Sequence, residues 1–273
     1  MPARFRSLIA VCLALAFGAG IARADQPILR IASDISYPPL EFYPAGTKTP
    51  AGFASDLALA LGAKLGRRVV FFNHDFGTIF DGLASRQYDA VISAVSDTRA
   101  REQKLDFVDY LLVGSGMLTK AGNPAHLSDL SSACGHTVDL QAGTSQDAAF
   151  KTQSAACTAV GLRPVTVLAE STDDAALKHF TTGESVAHIS DYPTIAYLAQ
   201  TLGGGHAAMV VGRQFDLAPY GIAVAKTNHS LRDALARALA ALVTDGTYDR
   251  LVHKWHLEQA SFRSASINAG SHY

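Results

Sequence analysis

Short apolar runs alternate along the chain with longer stretches in which leucine and alanine return at helical spacing. "ILRIAS" from Ile28 predicts a first strand. "FASDLALALGAKLG" puts Leu57, Leu61 and Leu65 on one helical face and stops at Gly66, the residue type that most readily ends a helix in a left-handed turn. "RRVVFF" predicts a second strand, "IFDGLASRQ" a helix, "YDAVISAV" a third strand, and Thr98 opens a short helix before the strand-like "YLLVGSGMLTK". A second set follows: "HTVDL", the helix led in by "GTSQDAAFKTQSAAC", then "RPVTVL", "TDDAALKHFTTG", "SVAHIS", "YPTIAYLAQTLG" and "AAMVVG". "YGIAVAK" is a strand, and "SLRDALARALAALVTDG" and "TYDRLVHKWHL" are helices. Strands alternating with helices predict an α/β fold with largely parallel sheets.

The two sets lack a Pro-rich or Gly/Ser-rich linker between them, so strands are expected to make the connections. "LLVGSGMLTK" and "PYGIAVAK", each broken by glycine, suit that role. The expected organisation is a lobe 1 begun by residues 25–113, a lobe 2 over 114–219, completion of lobe 1 by 220–258, and a flexible tail over 259–273, where periodicity ends. The first 24 residues stand apart: Arg4 and Arg6, the apolar run "LIAVCLALAFGAG" and the small-residue end "ARA" read as a cleaved secretory signal peptide. Val11 precedes Cys12 where lipoprotein processing wants a small residue, which favours a free soluble protein over a lipid-anchored one, and the leader places it in the periplasm as an expectation.

Composition sharpens this reading. The 273 residues are 48% hydrophobic and 17% charged, as suits a globular protein with a substantial core. Loss of Arg4, Arg6 and Arg23 with the leader leaves 20 basic residues against 24 acidic ones, a balance of −4. That makes nucleic acid an unsuitable partner. Cys134 and Cys157 are the two cysteines beyond the leader. In an oxidising compartment they are expected to form a disulfide, two buried thiols being the alternative.

In open α/β folds ligands gather at the carboxyl ends of strands, where helix N-termini present free N–H groups. Several strand ends here carry suitable side chains. "SDISYPPLEF" supplies Asp34 and Tyr37, "SAVSDTRAREQKLDF" supplies Ser96, Thr98 and Arg101, "LQAGTSQD" supplies Gly143, Thr144 and Ser145, and "AHISD" ends in Asp191. Arg101 can grip a carboxylate with two parallel hydrogen bonds, Ser96 and Thr144 add donors, and Asp191 can accept an ammonium. An α-amino acid carries both groups on one carbon. Taken singly, each residue has an ordinary structural use: Thr98 as a helix cap, Arg101 in a surface ion pair, Asp191 as a cap.

From Ile28 to about Leu257 the sequence resembles the periplasmic solute-binding proteins of amino-acid ABC importers, the family of the histidine- and glutamine-binding proteins. "SYPPLEF", "GFASDLALALGAKLG", "FDGLASRQYDAVISAVSDTRAREQKLDF", "LQAGTSQ", "YGIAVAK" and "ALVTDGTYDRLVHKWHL" carry the resemblance, in family order. It implies two α/β lobes joined by two crossover strands and closing on a ligand cleft. By resemblance, Arg101 of Thr98-Arg99-Ala100-Arg101 clamps the ligand carboxylate with Ser96, Gly143-Thr144 opens the helix of the second lobe, and Asp191 binds the ammonium. Asp34 and Tyr37 line the side-chain pocket and Phe76 covers the ligand. Leu40 stands where Phe is usual, and Ala94 where Gly or Ser is usual. Asp97 replaces an apolar residue and is expected to point away or to pair with Arg99. The resemblance further implies delivery to a membrane permease, with a monomer and no cofactor or metal. The expected ligand is a polar or basic L-amino acid, since Asp34 suits a cationic group and Tyr37 and Phe76 a flat one.

Two other functions use the same fold: an exported enzyme like the cyclohexadienyl dehydratases, and a ligand-sensing module. The first needs a general acid that these strand ends do not obviously supply, and the second a signalling segment that does not follow. No P-loop, Gly-x-Ser-x-Gly or Gly-x-Gly-x-x-Gly occurs. His253 and His256 of "HKWH" read as surface positions rather than metal ligands.

Overall fold

The computed structural model describes residues 26–273; the expected leader lies outside them. In chain order the strands are β1 (Ile28–Ser33), β2 (Ser36–Tyr37), β3 (Glu41–Phe42), β4 (Arg68–Asn73), β5 (Ala90–Val91), β6 (Leu105–Lys120), β7 (Thr137–Gln141), β8 (Thr166–Glu170), β9 (Ala187–Asp191) and β10 (Ala208–Ala225). The α-helices are α1 (Phe53–Leu65), α2 (Asp81–Ala84), α3 (Arg99–Glu102), α4 (Ser145–Ala159), α5 (Asp173–Thr182), α6 (Tyr192–Thr201), α7 (His229–Thr244) and α8 (Thr247–Lys254). No helix among the described residues is long and apolar enough to cross a membrane.

Pairing runs in the order β4-β1-β5-β10-β6-β9-β7-β8. The β1, β4 and β5 pairs are parallel at one end of this ladder, as are the β7, β8 and β9 pairs at the other. The long antiparallel strands β6 and β10 run through both ends, paired from Ala208↔Lys120 to Ala225↔Leu105 with register shifts midway. This is a two-lobed architecture with two crossover strands. The buried apolar residues divide the same way. One set of clusters draws on Leu29 to Val113 and again on Tyr220 to Ala260, the other on Met117 to Val211.

Local chemistry explains the elements that shape the cleft. α1 buries Phe53, Leu57 and Leu61 and ends at left-handed Gly66, whose N–H is accepted by the Ala63 carbonyl. At Gly52, φ is +120°, and a Cβ would lie 2.1 Å from the Leu40 carbonyl oxygen, so only glycine lets β3 approach the start of α1.

Cys134 and Cys157 are bonded, tying the turn after Leu130–Ala133 to the last turn of α4 across a separation of 23 residues. A closed loop of that size stabilises the fold by about 3 kcal/mol through the unfolded chain. Replacing both cysteines by serine should lower the melting temperature by roughly 6–12 °C, at 2–4 °C per kcal/mol for a chain of this length. Thermal melts with and without reductant check this; an unchanged melt would mean that the bond adds nothing.

The chain end departs from expectation. Residues 259–273 are not a loose tail. Ala260 is buried, Ser261 bridges to Leu111 and Ile267 to Val108 along the outer edge of β6, and Asn268 Oδ1 accepts from the Phe107 N–H at 2.8 Å. The segment holds on through backbone pairing rather than an apolar face, so it shows no hydrophobic period.

Candidate functional site

The strand ends named above converge on one cavity between the lobes. Asp34, Tyr37, Phe76, Ala94, Ser96 and Arg101 line it from lobe 1, and Thr144, Ser145 and Asp191 from lobe 2. Four further residues line it that sequence reading did not single out: Glu41, Ser93, Gln141 and Gln146.

On lobe 1, the turn after β1 is fixed by Ser93, whose Oγ accepts from the Asp34 N–H at 2.8 Å. Ser36 Oγ donates to Asp34 Oδ1 at 2.7 Å. The chain leaves β5 after Val91, and Ala94 takes φ +45°, a left-handed conformation held against the preference of a residue with a Cβ. Thr98 caps α3 by accepting the Arg101 N–H at 3.3 Å. Arg101 then reaches the cavity, donating from Nη1 to the Ser96 carbonyl at 2.8 Å. Its guanidinium carbon sits 5.6 and 5.5 Å from the ring centroids of Phe76 and Phe80, within cation–π range. Burial lowers the Arg101 pKa while the Asp191 and Asp97 charges oppose that. The cation is therefore poorly solvated and suited to an anion.

On lobe 2, α4 aims its N-terminus at the cavity. Thr144 Oγ1 accepts from the Asp147 N–H at 3.2 Å and donates to the Gln141 carbonyl at 2.7 Å. Gly143 has φ +77°, and its carbonyl accepts from Arg101 Nη2 at 3.5 Å. Asp191, at the end of β9, accepts from Gln146 Nε2 at 2.6 Å and from the Tyr37 hydroxyl at 2.8 Å. Burial pushes its carboxyl up to about 6. Behind it, Ser190 Oγ donates to Asp173 Oδ1 at 3.0 Å, and His188, wholly buried, lies 2.6 Å from Asp139.

Tyr37–Asp191, Gln141 Nε2–Asp34 Oδ2 (2.7 Å) and Arg101–Gly143 all join one lobe to the other, so the jaw is shut. The space left is about 20 Å³, room for about one water. Anything larger enters only when the lobes part and those side chains exchange partners.

Charge is the other property of the cavity. Its lining carries the carboxyl groups of Asp34, Glu41 and Asp191 against a single cation, Arg101. Glu41 is 1% exposed, and neither carboxylate oxygen has a hydrogen-bonding partner among the described residues. Burial, then the Asp34 charge, holds its carboxyl well above the ordinary range. Burial also raises Asp34. Asp97 points away from the cavity, but it does not pair with Arg99: its Oδ2 accepts from the Gly270 N–H at 2.9 Å, because the chain end has folded over it. Among the described residues no three His, Cys, Asp or Glu are grouped to hold a metal; His253 Nδ1 lies 2.9 Å from Glu258 at the surface.

Comparison with known proteins agrees with this fold. An arginine-binding protein of Corynebacterium glutamicum is 28% identical over 90% of this chain and 80% of its own. A histidine-binding periplasmic protein of Salmonella typhimurium is 26% identical over 90% of this chain and 95% of its own. Among solved structures, an ancestral arginine-binding protein bound to arginine superposes with a TM-score of 0.76 at 31% identity, covering 85% of this chain and 99% of that one. An ancestral amino-acid-binding protein described as a precursor of cyclohexadienyl dehydratase does so with 0.74 at 27%, over 84% of this chain and 95% of its own. Residues 29–258, which hold both lobes and every side chain lining the cavity, match the model of the bacterial extracellular solute-binding proteins, family 3, and the chain belongs to that family.

Proposed function

We propose that the protein is an exported receptor that captures a cationic L-amino acid between its lobes and presents it to an ABC importer permease. The charge of the cavity carries the reading. An α-amino acid uses Arg101 for its carboxylate and Asp191 for its ammonium. Asp34 and Glu41 then remain as carboxyl groups without a cation. A guanidinium or ammonium at the end of the ligand side chain supplies it, and buried charges require such pairing. Tyr37 and Phe76 form walls for a flat group. Ser96 and Thr144, with the first N–H groups of α4 around Ser145, complete the carboxylate site, and Ala94 shapes the wall beside them. The names of the relatives point the same way, and the periplasm is the compartment that the leader and those relatives support.

Closure stores binding energy in contacts made only when the jaw is shut. The open lobe 1 offers Arg101, Ser96 and Asp34; closing brings Asp191 and Thr144 onto the ligand, which replaces Tyr37 and Gln141 as partners of the acids.

Thermal-shift screening of the mature protein tests the reading. L-arginine, L-lysine or L-ornithine at 1,000 times Kd should stabilise the fold by about 4 kcal/mol, a rise of roughly 10 °C. Glutamine and glutamate should do far less. Equal shifts for neutral and cationic amino acids would overturn the assignment.

One observation favours a second reading on the same site. Glu41 is a buried carboxyl raised well above its ordinary range by burial, in the same cavity as Arg101, which is the equipment of a general acid. Turnover of prephenate or arogenate by the purified protein, abolished in Glu41→Gln, would establish a dehydratase.

A further inference from the structure

The chain end reaches the Arg101 loop on an unusual anchor. Three successive backbone N–H groups each find a carboxylate from a different element. The Ala269 N–H donates to Asp109 Oδ2 on β6 at 3.1 Å, Gly270 to Asp97 Oδ2 at 2.9 Å, and Ser271 to Glu102 Oε1 on α3 at 3.1 Å. Ser266 Oγ adds a second donor to Asp109 at 3.0 Å. Asp97 and Asp109 are fully buried, and each leaves its Oδ1 without a hydrogen-bonding partner among the described residues. Gly270 packs so closely that a Cβ would lie 2.3 Å from the Asp97 carbonyl oxygen and 2.8 Å from its Cγ. Asp97 and Glu102 bracket Arg101 in the chain, and the Asp97 N–H is itself accepted by the Pro219 carbonyl at 2.7 Å on the crossover strand.

We propose that residues 266–271 are a positioning segment for Arg101: by gripping Asp97 and Glu102 on either side of it, they fix the loop from which its guanidinium reaches the ligand carboxylate. The proposal rests on the amino-acid-binding reading above. It gives Asp97 a use that the cleft does not, since the carboxylate is an anchor for the chain end and faces away from the ligand.

The anchor also carries a pH signature. Burial and the neighbouring Asp109 and Glu102 charges push the Asp97 carboxyl up to about 8, and burial takes Asp109 to about 6. The groups facing the pair are Glu102 and Arg101 from α3. Crossover residues Pro219 and Tyr220 bring no charge, residues 266–271 contribute no charged side chain, and Asp106 of β6 is held by Asn268 Nδ2 at 3.2 Å. A proton on the Asp97 carboxyl is therefore compatible with docking, and its loss leaves a buried charge near those of Asp109 and Glu102. Because the docked form holds that proton more tightly than the released form, docking is complete at low pH and weakens as pH rises toward about 8.

Full-length Gly270→Ala, compared with wild type and with the exposed tail control His272→Ala, tests the proposal by isothermal titration with L-arginine and by amide hydrogen exchange. We expect about tenfold weaker binding in Gly270→Ala, the scale of one disturbed charge-assisted contact, with faster exchange over residues 97–102 and 266–271 and neither change in His272→Ala. Wild-type affinity in Gly270→Ala overturns the positioning role, and unchanged exchange at 97–102 overturns the anchor. If wild type binds no amino acid, the functional reading falls while the exchange result still decides the anchor. Should Gly270→Ala not fold, Asp97→Asn carries the test, because the amide mimics the protonated carboxyl. Its affinity should match wild type at pH 7 and exceed it at pH 8.5, and parallel pH profiles would overturn the proposal.

Discussion

Arg101→Ala should bind L-arginine at least 100-fold more weakly than wild type in isothermal titration, a loss of about 3 kcal/mol or more. Removing one partner of an enclosed ion pair leaves the other charge unpaired in a medium that solvates it poorly. On the proposed reading the stranded group is the ligand carboxylate, left among Ser96, Thr144 and Ser145 of the cavity lining with no cation. The melting temperature of the ligand-free variant should stay close to wild type. Burial already lowers the Arg101 pKa, so the fold gains little from housing the charge. Arg101→Lys restores charge without the two-pronged geometry and should fall between the two. Wild-type affinity in Arg101→Ala would remove this residue from the ligand site, and the carboxylate would then have to lie elsewhere in the cleft.

Glu41→Gln should act on selectivity. We expect a loss of roughly 100-fold for L-arginine and L-lysine, the scale of a charge-assisted pair in an enclosed site, with little change for L-glutamine. The same carboxyl should make binding proton-linked. Burial and Asp34 raise Glu41 in the free protein, and Asp191 stands at about 6. A bound cation stabilises the ionised forms and lowers both, so binding releases protons and affinity rises with pH while those groups still carry them. Titration near pH 6 in two buffers of different ionisation enthalpy should show that release for wild type and a smaller one for Glu41→Gln. Equal release by both proteins would mean that Glu41 does not meet the ligand charge.

Much of the frame was legible because it follows from period and punctuation. β1 and α1 lie where apolar spacing and Gly66 put them, and the strand-end rule led to Asp34, Arg101, Thr144 and Asp191. Glu41 escaped notice because it sits between Leu40 and Phe42 in a strand-like stretch. Its burial arises only when β3 closes over the start of α1. "YDAVISAV" reads as a whole strand, yet only Ala90 and Val91 pair; Ser93 and Ala94 peel away to make the cavity wall. The polar residues Asp106 and Asp109 disguise the first half of β6. Their partners lie far along the chain, Arg232 at 2.8 Å from Asp106 and Ala269 at 3.1 Å from Asp109. The partner of Asp97 is hidden for the same reason, since nothing local announces that Gly270 will reach it.

The way the chain leaves lobe 1 and returns to it also sets an order of assembly. Leu29, Phe53 and Leu57 share their core with Leu239, Tyr248 and Val252 from α7 and α8, so the segment that emerges first cannot complete its core until the last helices arrive. Lobe 2 is contiguous and can condense without waiting. In a chain whose first 24 residues read as an export leader, this delay is useful. If the leader is used as its sequence suggests, the end that enters the translocation channel first would remain threadable, and the finished jaw, with its Cys134–Cys157 bond, would form after passage.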